Sequence, residues 1–323
     1  MSMQFGAFAP QGWKMDLASI DGAANKWARC REVALLAEEL GYDSIWVYDH
    51  FHNVPTPAHE AVFECWTTMA ALAEATSRIR LGQMVSCTSY RAPTLTAKIT
   101  SSIDVISGGR LEWGVGAGWY DHEYKAYGYE FPAPKVRIGM LAEAVEIVKA
   151  MWTEPDTTYE GTYYKVRGAQ CDPKPIQEPH PPVWIGGGGE QLTLRVVARH
   201  ADRSNFGGKP DEFAHKLDVL KGHCGAVGRD YDEIAKTWSP ELIVRGTERE
   251  ARTFHEARRK AQPWLEEWDG YRLGNLAGSA EQVAERIGTY EEMGCAAVVP
   301  WIVDYPSDET LRRFATDVIP ELR

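Results

Sequence analysis

The apolar run Ile45–Trp46–Val47–Tyr48 stops abruptly at Asp49 and His50. A carboxylate beside an imidazole can hold, give or take a proton near neutral pH. The same pair could instead finish a strand, with Asp49 tying down the next loop, because structural ion pairs are common. Four consecutive glycines, Gly186, Gly187, Gly188 and Gly189, stand in "WIGGGGEQLTLRVVARHAD". Between a strand and a helix, glycines leave backbone N–H groups free to meet a phosphate at the helix N-terminus. No GK[ST] ending follows, so this is not a Walker loop, and a flexible turn is the other reading. The stretch "GVGAGWYDHEY" (114–124) places Gly118 and Trp119 after a strand. Glycine there permits close approach of a ligand or of a second strand. "QMVSCTSYRAP" (83–93) ends a strand in small hydroxyl residues. Such a lining admits a flat ring, or it caps the helix that starts at Pro93. His52 and His59 read as loop residues.

These groups are useful only if strand ends converge. Strand-like segments fall at 3–10, 42–49, 78–87, 110–118, 181–187, 202–208, 237–246 and 295–303. Helical patterns alternate with them at 26–41, 63–77, 92–109, 135–153, 190–201, 210–228, 279–294 and 308–322, the seventh opened by a capping box of Ser279 and Gln282. Regular β-then-α alternation implies a parallel sheet, and a count of eight favours an α/β fold of the closed TIM-barrel type, (β/α)8, over a doubly wound sheet. The whole chain, 1–323, reads as one domain. Residues 154–180 break the pattern: "TTYEGTYYKV" looks like a hairpin, and a Pro-rich tail follows. Residues 247–277 are less periodic. In such a barrel the carboxyl ends of the strands form the functional rim, which is where Asp49 and His50 fall.

Lys and Arg number 35 against 46 Asp and Glu, a formal net charge of −11. That balance argues against broad binding to nucleic acid or to an anionic membrane. The six cysteines form no CxxC pair, and no HExxH spacing occurs, so no metal site is expected and the thiols read as reduced and structural. The amino-terminal stretch reads as a strand, not a signal peptide, and no apolar run reaches the ~20 residues of a membrane helix. The expectation is a soluble cytoplasmic protein.

Taken together, "LGYDSIWVYDH", "FECWTTMAALAEATSRIRLG", "SYRAPTLTAK", "SGGRLEWGVGAGW", "YGYEF" and "PPVWIGGGG…LTLRVVARHAD" resemble the bacterial luciferase-like superfamily of flavin and deazaflavin barrels. The likeness runs along nearly the whole chain and is strongest to the coenzyme F420-dependent oxidoreductase branch. The resemblance implies F420, or alternatively FMN, lying across the barrel mouth. It implies His50 as proton donor or acceptor, with Asp49 orienting it and meeting the ring edge. It implies a bulge at Met84, Val85 and Ser86, often with a non-prolyl cis peptide, here expected at Met84–Val85. Cys87 and Thr88 would touch the ring or its tail, Gly118 and Trp119 would border the site, and Gly186 to Gly189 would hold the phosphate. Arg91, Lys98 and Arg195 are candidate cations for the oligoglutamate tail of F420. The sugar-phosphate dehydrogenases of the superfamily carry a carboxylate where this chain has Trp119 and a tryptophan where it has Val54, which makes glucose 6-phosphate a doubtful substrate. The rival activities are an FMN-dependent two-component monooxygenase and a non-catalytic flavin-binding barrel. Expected partners are a small-molecule substrate and a second copy of the chain, as a homodimer or larger homo-oligomer.

Overall fold

The structure is a computed structural model that describes residues 3–323. The first half runs β1 (Gln4–Phe8), α1 (Ala23–Glu39), β2 (Ser44–Val47), α2 (Cys65–Ala75), β3 (Arg80–Gln83), β4 (Ser86–Cys87), α3 (Pro93–Ser107), β5 (Leu111–Gly116), α4 (Asp121–Ala126) and α5 (Pro134–Thr153). A hairpin of β6 (Thr157–Glu160) and β7 (Lys165–Ala169) follows, then β8 (Val183–Gly186), α6 (Thr193–His200), β9 (Arg203–Asn205) and α7 (Pro210–Val227). The chain closes with β10 (Ala235–Trp238), β11 (Glu241–Val244), α8 (Glu248–Ala261), α9 (Trp268–Gly274), β12 (Leu276–Gly278), α10 (Ala280–Glu292), β13 (Cys295–Val298), β14 (Trp301–Ile302) and α11 (Glu309–Arg313).

Eight parallel strands close a ring in the order β1, β2, β3, β5, β8, β9, β10, β13 and back to β1. This is the expected (β/α)8 barrel. Strand alternation explains its two cores. Phe5, Ala7, Ile45, Val47, Val183 and Ile185 belong to the larger apolar core, which includes residues of the surrounding helices. Phe8, Trp46, Tyr48, Trp184, Ala297 and Val299 belong to a second cluster on the opposite face of the same strands. Trp46 and Trp184 meet edge to face with ring centres 4.5 Å apart. Gly6 and Gly82 make room: a Cβ on Gly82 would lie 2.2 Å from the Trp46 ring. The aromatic bulk of one strand is thus accommodated by glycine on its neighbours.

Two expected strands are longer on paper than in space. The segment 237–246 divides into β10 and β11 around Pro240, and 295–303 divides into β13 and β14 around Pro300. Proline has no N–H for the ladder, so each strand leaves the ring there. The continuations β11 and β14, with β12, build a small parallel sheet beyond the ring. Helices α8 and α9 accompany it, in the region where periodicity was weakest. The hairpin at 154–180 is antiparallel as expected. Glu143 of α5 ties it down by accepting the amides of Thr162, Tyr163 and Tyr164 at 2.7, 2.9 and 3.0 Å. The capping box at Ser279 and Gln282 is formed.

Candidate active site

His50 follows β2 at the carboxyl rim of the barrel. Its Nδ1 lies 2.7 Å from Oε2 of Glu123, a fully buried carboxylate on α4. Glu123 also accepts the amides of Phe51 (2.6 Å) and His52 (2.8 Å) and the hydroxyl of Tyr90 (2.8 Å). Burial by itself would raise the pKa of Glu123. The His50 hydrogen bond, the nearby imidazole and the two amides outweigh it and hold the carboxyl below its ordinary value. An ionised carboxylate only accepts, so the proton of a neutral His50 sits on Nδ1. Nε2 is then left to face a reactant, and it makes no hydrogen bond among the described residues.

Asp49 plays a different part from the one the resemblance implied. Its side chain is fully buried and bound in a fork by Arg91, at 2.7 and 3.0 Å, and it accepts the Cys87 amide at 2.9 Å. It makes no hydrogen bond to His50. Neighbouring residues of an extended chain point to opposite sides, so the two side chains diverge. The orienting carboxylate is Glu123, and Asp49 joins the end of β2 to β4 and Arg91. Arg91, one of the three candidate tail cations, is occupied by this pairing and by Glu64 at 2.8 Å. Lys98 donates to the Asp172 carbonyl, and Arg195 is exposed on α6.

Beside this pair lies a cleft of about 360 Å³. Met84, Val85, Gly118, Trp119, Gly186 and Gly187 line it, as expected, together with Arg137, Thr193 and Asn205. Its volume falls in the usual range of ligand pockets, ~300–1,000 Å³. Met84–Val85 is a cis peptide, as expected. Val85 wedges between two strand ends, and a Cβ on Gly116 or on Gly186 would come within 2.5 or 2.6 Å of its methyl groups. Gly114 passes so near the Gln83 carbonyl that a Cβ would stand 1.7 Å from the oxygen. These glycines therefore answer first to barrel closure, and the same bare backbone forms the cleft wall. Gly118 is required twice over, by its φ of +75° and by the Tyr124 hydroxyl 2.0 Å from where a Cβ would be.

Five of the residues expected at the cofactor lie outside the lining of this cleft. Ser86, Cys87 and Thr88 do not line the cleft. Ser86 of β4 and Thr88 just beyond it donate to the carbonyls of Gly114 and Gly116 on β5, the strand that β4 pairs with, at 2.7 and 2.9 Å. The Cys87 thiol is buried against the Tyr124 hydroxyl at 3.0 Å, and burial pushes its pKa up to about 12. Gly188 and Gly189 also lie outside the cleft lining. A Cβ on Gly188 would stand 3.1 Å from the Lys216 side chain, and one on Gly189 2.9 Å from the Thr193 hydroxyl. Their part is to let the turn hug α7 and the start of α6.

Four functional candidates escaped the sequence reading. Glu123 lay inside a stretch already singled out, but α4 is too short to show periodicity. Arg137 is buried against the cleft with its Nε unpartnered, and it forms no ion pair among the described residues. Trp13, in the loop after β1, stacks on His50 with ring centres 4.2 Å apart and planes within 3°. Lys14 lies 3.7 Å from the Trp301 ring centre and 4.0 Å from Glu241. Burial brings the Lys14 pKa down to about 8, against the attraction of Glu241. The unfolded chain, with lysine at 10.5, binds more protons between those values, so this residue makes stability rise as pH climbs from 8. Urea unfolding of Lys14→Met is expected to lack that rise. A variant whose stability follows wild type from pH ~8 to ~9.5 would refute it.

A closed parallel barrel with a ligand-sized cleft and an imidazole at its carboxyl rim defines a (β/α)8 barrel enzyme. The chain belongs to the luciferase-like monooxygenase family, whose model matches residues 3–272. It is similar to an F420-dependent glucose-6-phosphate dehydrogenase of Amycolatopsis mediterranei, at 27% identity over 90% of this chain and 93% of that protein. Among solved structures, the coenzyme F420-dependent tetrahydromethanopterin reductase of Methanopyrus kandleri matches with a TM-score of 0.81 and 20% identity, covering all of both chains. An EDTA monooxygenase from Chelativorans matches with a TM-score of 0.83 and 18% identity, covering 100% of this chain and 93% of that one. At such identities the structures establish the shared fold. No helix among the described residues is long and apolar enough to cross a membrane.

Proposed function

We propose that the protein is an F420-dependent oxidoreductase that moves a hydride between the deazaflavin and a small organic substrate, with His50 carrying the accompanying proton. The observation that carries this reading is the juxtaposition at one rim of a proton-handling pair, His50 and Glu123, with a cleft suited to a flat ring and a phosphate. The cleft fits such a group chemically: glycine backbone and Val85 offer a flat wall, while buried Arg137 holds an unused N–H donor. The F420-dependent relative supports deazaflavin over FMN. When bound, the cofactor supplies the hydride. Glu123 fixes the His50 tautomer, Trp13 fixes its plane, and Trp119 covers the approach. Arg137 and the start of α6 would hold the phosphate. We also read the chain as one cytoplasmic domain that pairs with a second copy.

Titrating the protein with F420 and with FMN, followed by fluorescence, tests the cofactor. F420 is expected to bind more tightly, and preference for FMN would transfer the case to the monooxygenase reading. Arg137→Gln is expected to weaken F420 binding roughly 10- to 100-fold, the value of a hydrogen bond to a charged group. Equal affinity in wild type and variant would remove Arg137 from the site.

A further inference from the structure

We propose that the substrate is an uncharged, flat, conjugated carbonyl compound held in an aromatic corner around His50, and not a sugar phosphate. The inference rests on the F420-dependent reading above. The corner is made of two stacked pairs. Trp13 lies flat on the His50 ring. Trp119 and Tyr120 stack on each other at 5.1 Å and 24°, and they stand nearly upright to His50, at 71° and 67°. Trp119 is 61% exposed, a large bare ring at the border of the cleft. These rings cover one face of the imidazole and stand beside it, within 6.0 Å between ring centres. A flat conjugated compound gains offset stacking there, and a hydrated sugar gains little.

Charge points the same way. A phosphorylated substrate needs an uncommitted cation beside the corner. The cation nearest Trp13 is Lys14, which stands against Glu241. Glu241 also takes Arg258 at 3.0 Å and the Tyr271 hydroxyl at 2.8 Å, so the one carboxylate holds both cations in place. Arg91, further along the rim, is consumed by Asp49 and Glu64. Arg137 belongs to the cleft wall with Gly186 and Thr193, where the cofactor's own phosphate would compete for it. Meanwhile Glu123 lies directly behind His50 and repels an anion.

The reaction balances for an enone. A C–H bond forms at the β-carbon with the hydride, and the π electrons shift toward oxygen. The Nε2 proton of a protonated His50 neutralises that charge, and solvent reprotonates the ring. The C–H bond that held the hydride on the reduced deazaflavin would break and the oxidised ring would release a proton to solvent, while the substrate gains two electrons and two hydrogens as an enol that returns to the saturated ketone.

The test uses the intact protein with reduced F420, following cofactor fluorescence. Three acceptors or donors are compared: an aryl enone (benzalacetone), a small alkyl enone (methyl vinyl ketone), and glucose 6-phosphate with oxidised F420. The aryl enone is expected to show the highest kcat/KM. Trp119→Ala should lower the aryl-to-alkyl ratio roughly 3- to 10-fold, and Trp119→Phe should restore most of it. The ratio cancels any change in cofactor binding. Failure to bind F420 would overturn the cofactor reading, and this inference with it. An F420-bound enzyme that prefers glucose 6-phosphate, or turns over neither enone, overturns the substrate class alone. An unchanged ratio in Trp119→Ala removes the aromatic corner.

Discussion

Alanine at position 50 is expected to lower turnover about 10²–10⁴-fold, the usual contribution of a positioned general acid or base. Cofactor affinity should change little, because His50 is not part of the cleft lining. Steady-state rates and a fluorescence titration on the same variant separate the two. A variant that turns over like wild type would dismiss His50 from the chemistry. One that loses the cofactor would mean the imidazole is a binding group.

The second large effect belongs to Glu123. Glu123→Ala strands the Phe51 and His52 amides and the Tyr90 hydroxyl in the interior, and it frees His50. A hydrogen bond to a charged group is worth about 1.5–3 kcal/mol, and the variant loses several. Glu123→Gln keeps the volume and isolates the charge. An amide can accept or donate, so it no longer dictates where the imidazole proton sits. Turnover is expected to fall more than ~10-fold but less than in the alanine variant at 50. The pH dependence has a definite sign. The folded carboxyl titrates below its ordinary 4.5, so its stabilising contribution is complete above that value and is lost as pH falls through the lower, folded one. The stability gap between wild type and Glu123→Gln in urea should therefore be steady at neutral pH and close in acid. A gap that persists in acid would assign the effect to packing.

The barrel was legible because strand-like segments alternate regularly with helical stripes, even though β9, Arg203–Asn205, carries no apolar run. The region 247–277 was not. Helix α8 is mostly charged, and only Ala251 and His255 are buried on it, so its apolar stripe is thin and made of small residues beside Phe254. The site divided the same way. His50, Met84–Val85, Gly118, Trp119, Gly186 and Gly187 were marked by composition or by likeness to a family. Glu123 was not, because its role comes from contacts with residues 33 and 73 positions away, Tyr90 and His50; Arg91 was marked as a cation for the cofactor tail, and its pairing with Asp49 and Glu64 shows only in the fold. Adjacency misled at Asp49, where two polar neighbours in the chain serve opposite sides of it. The partners of the hydroxyls at 86 and 88 were hidden for a related reason: the sequence showed donors, and only the fold shows that they meet the carbonyls of β5.

The wedge formed by Val85 ties the history of three distant positions together. Either glycine flanking it, at 116 or 186, can acquire a side chain only after position 85 has been trimmed, since the clearances are already below contact distance. A library that randomises one of the three will look intolerant, whereas one that varies all three at once should recover folded barrels with a reshaped floor. Redesign of this enzyme for a bulkier cofactor would begin with that trio.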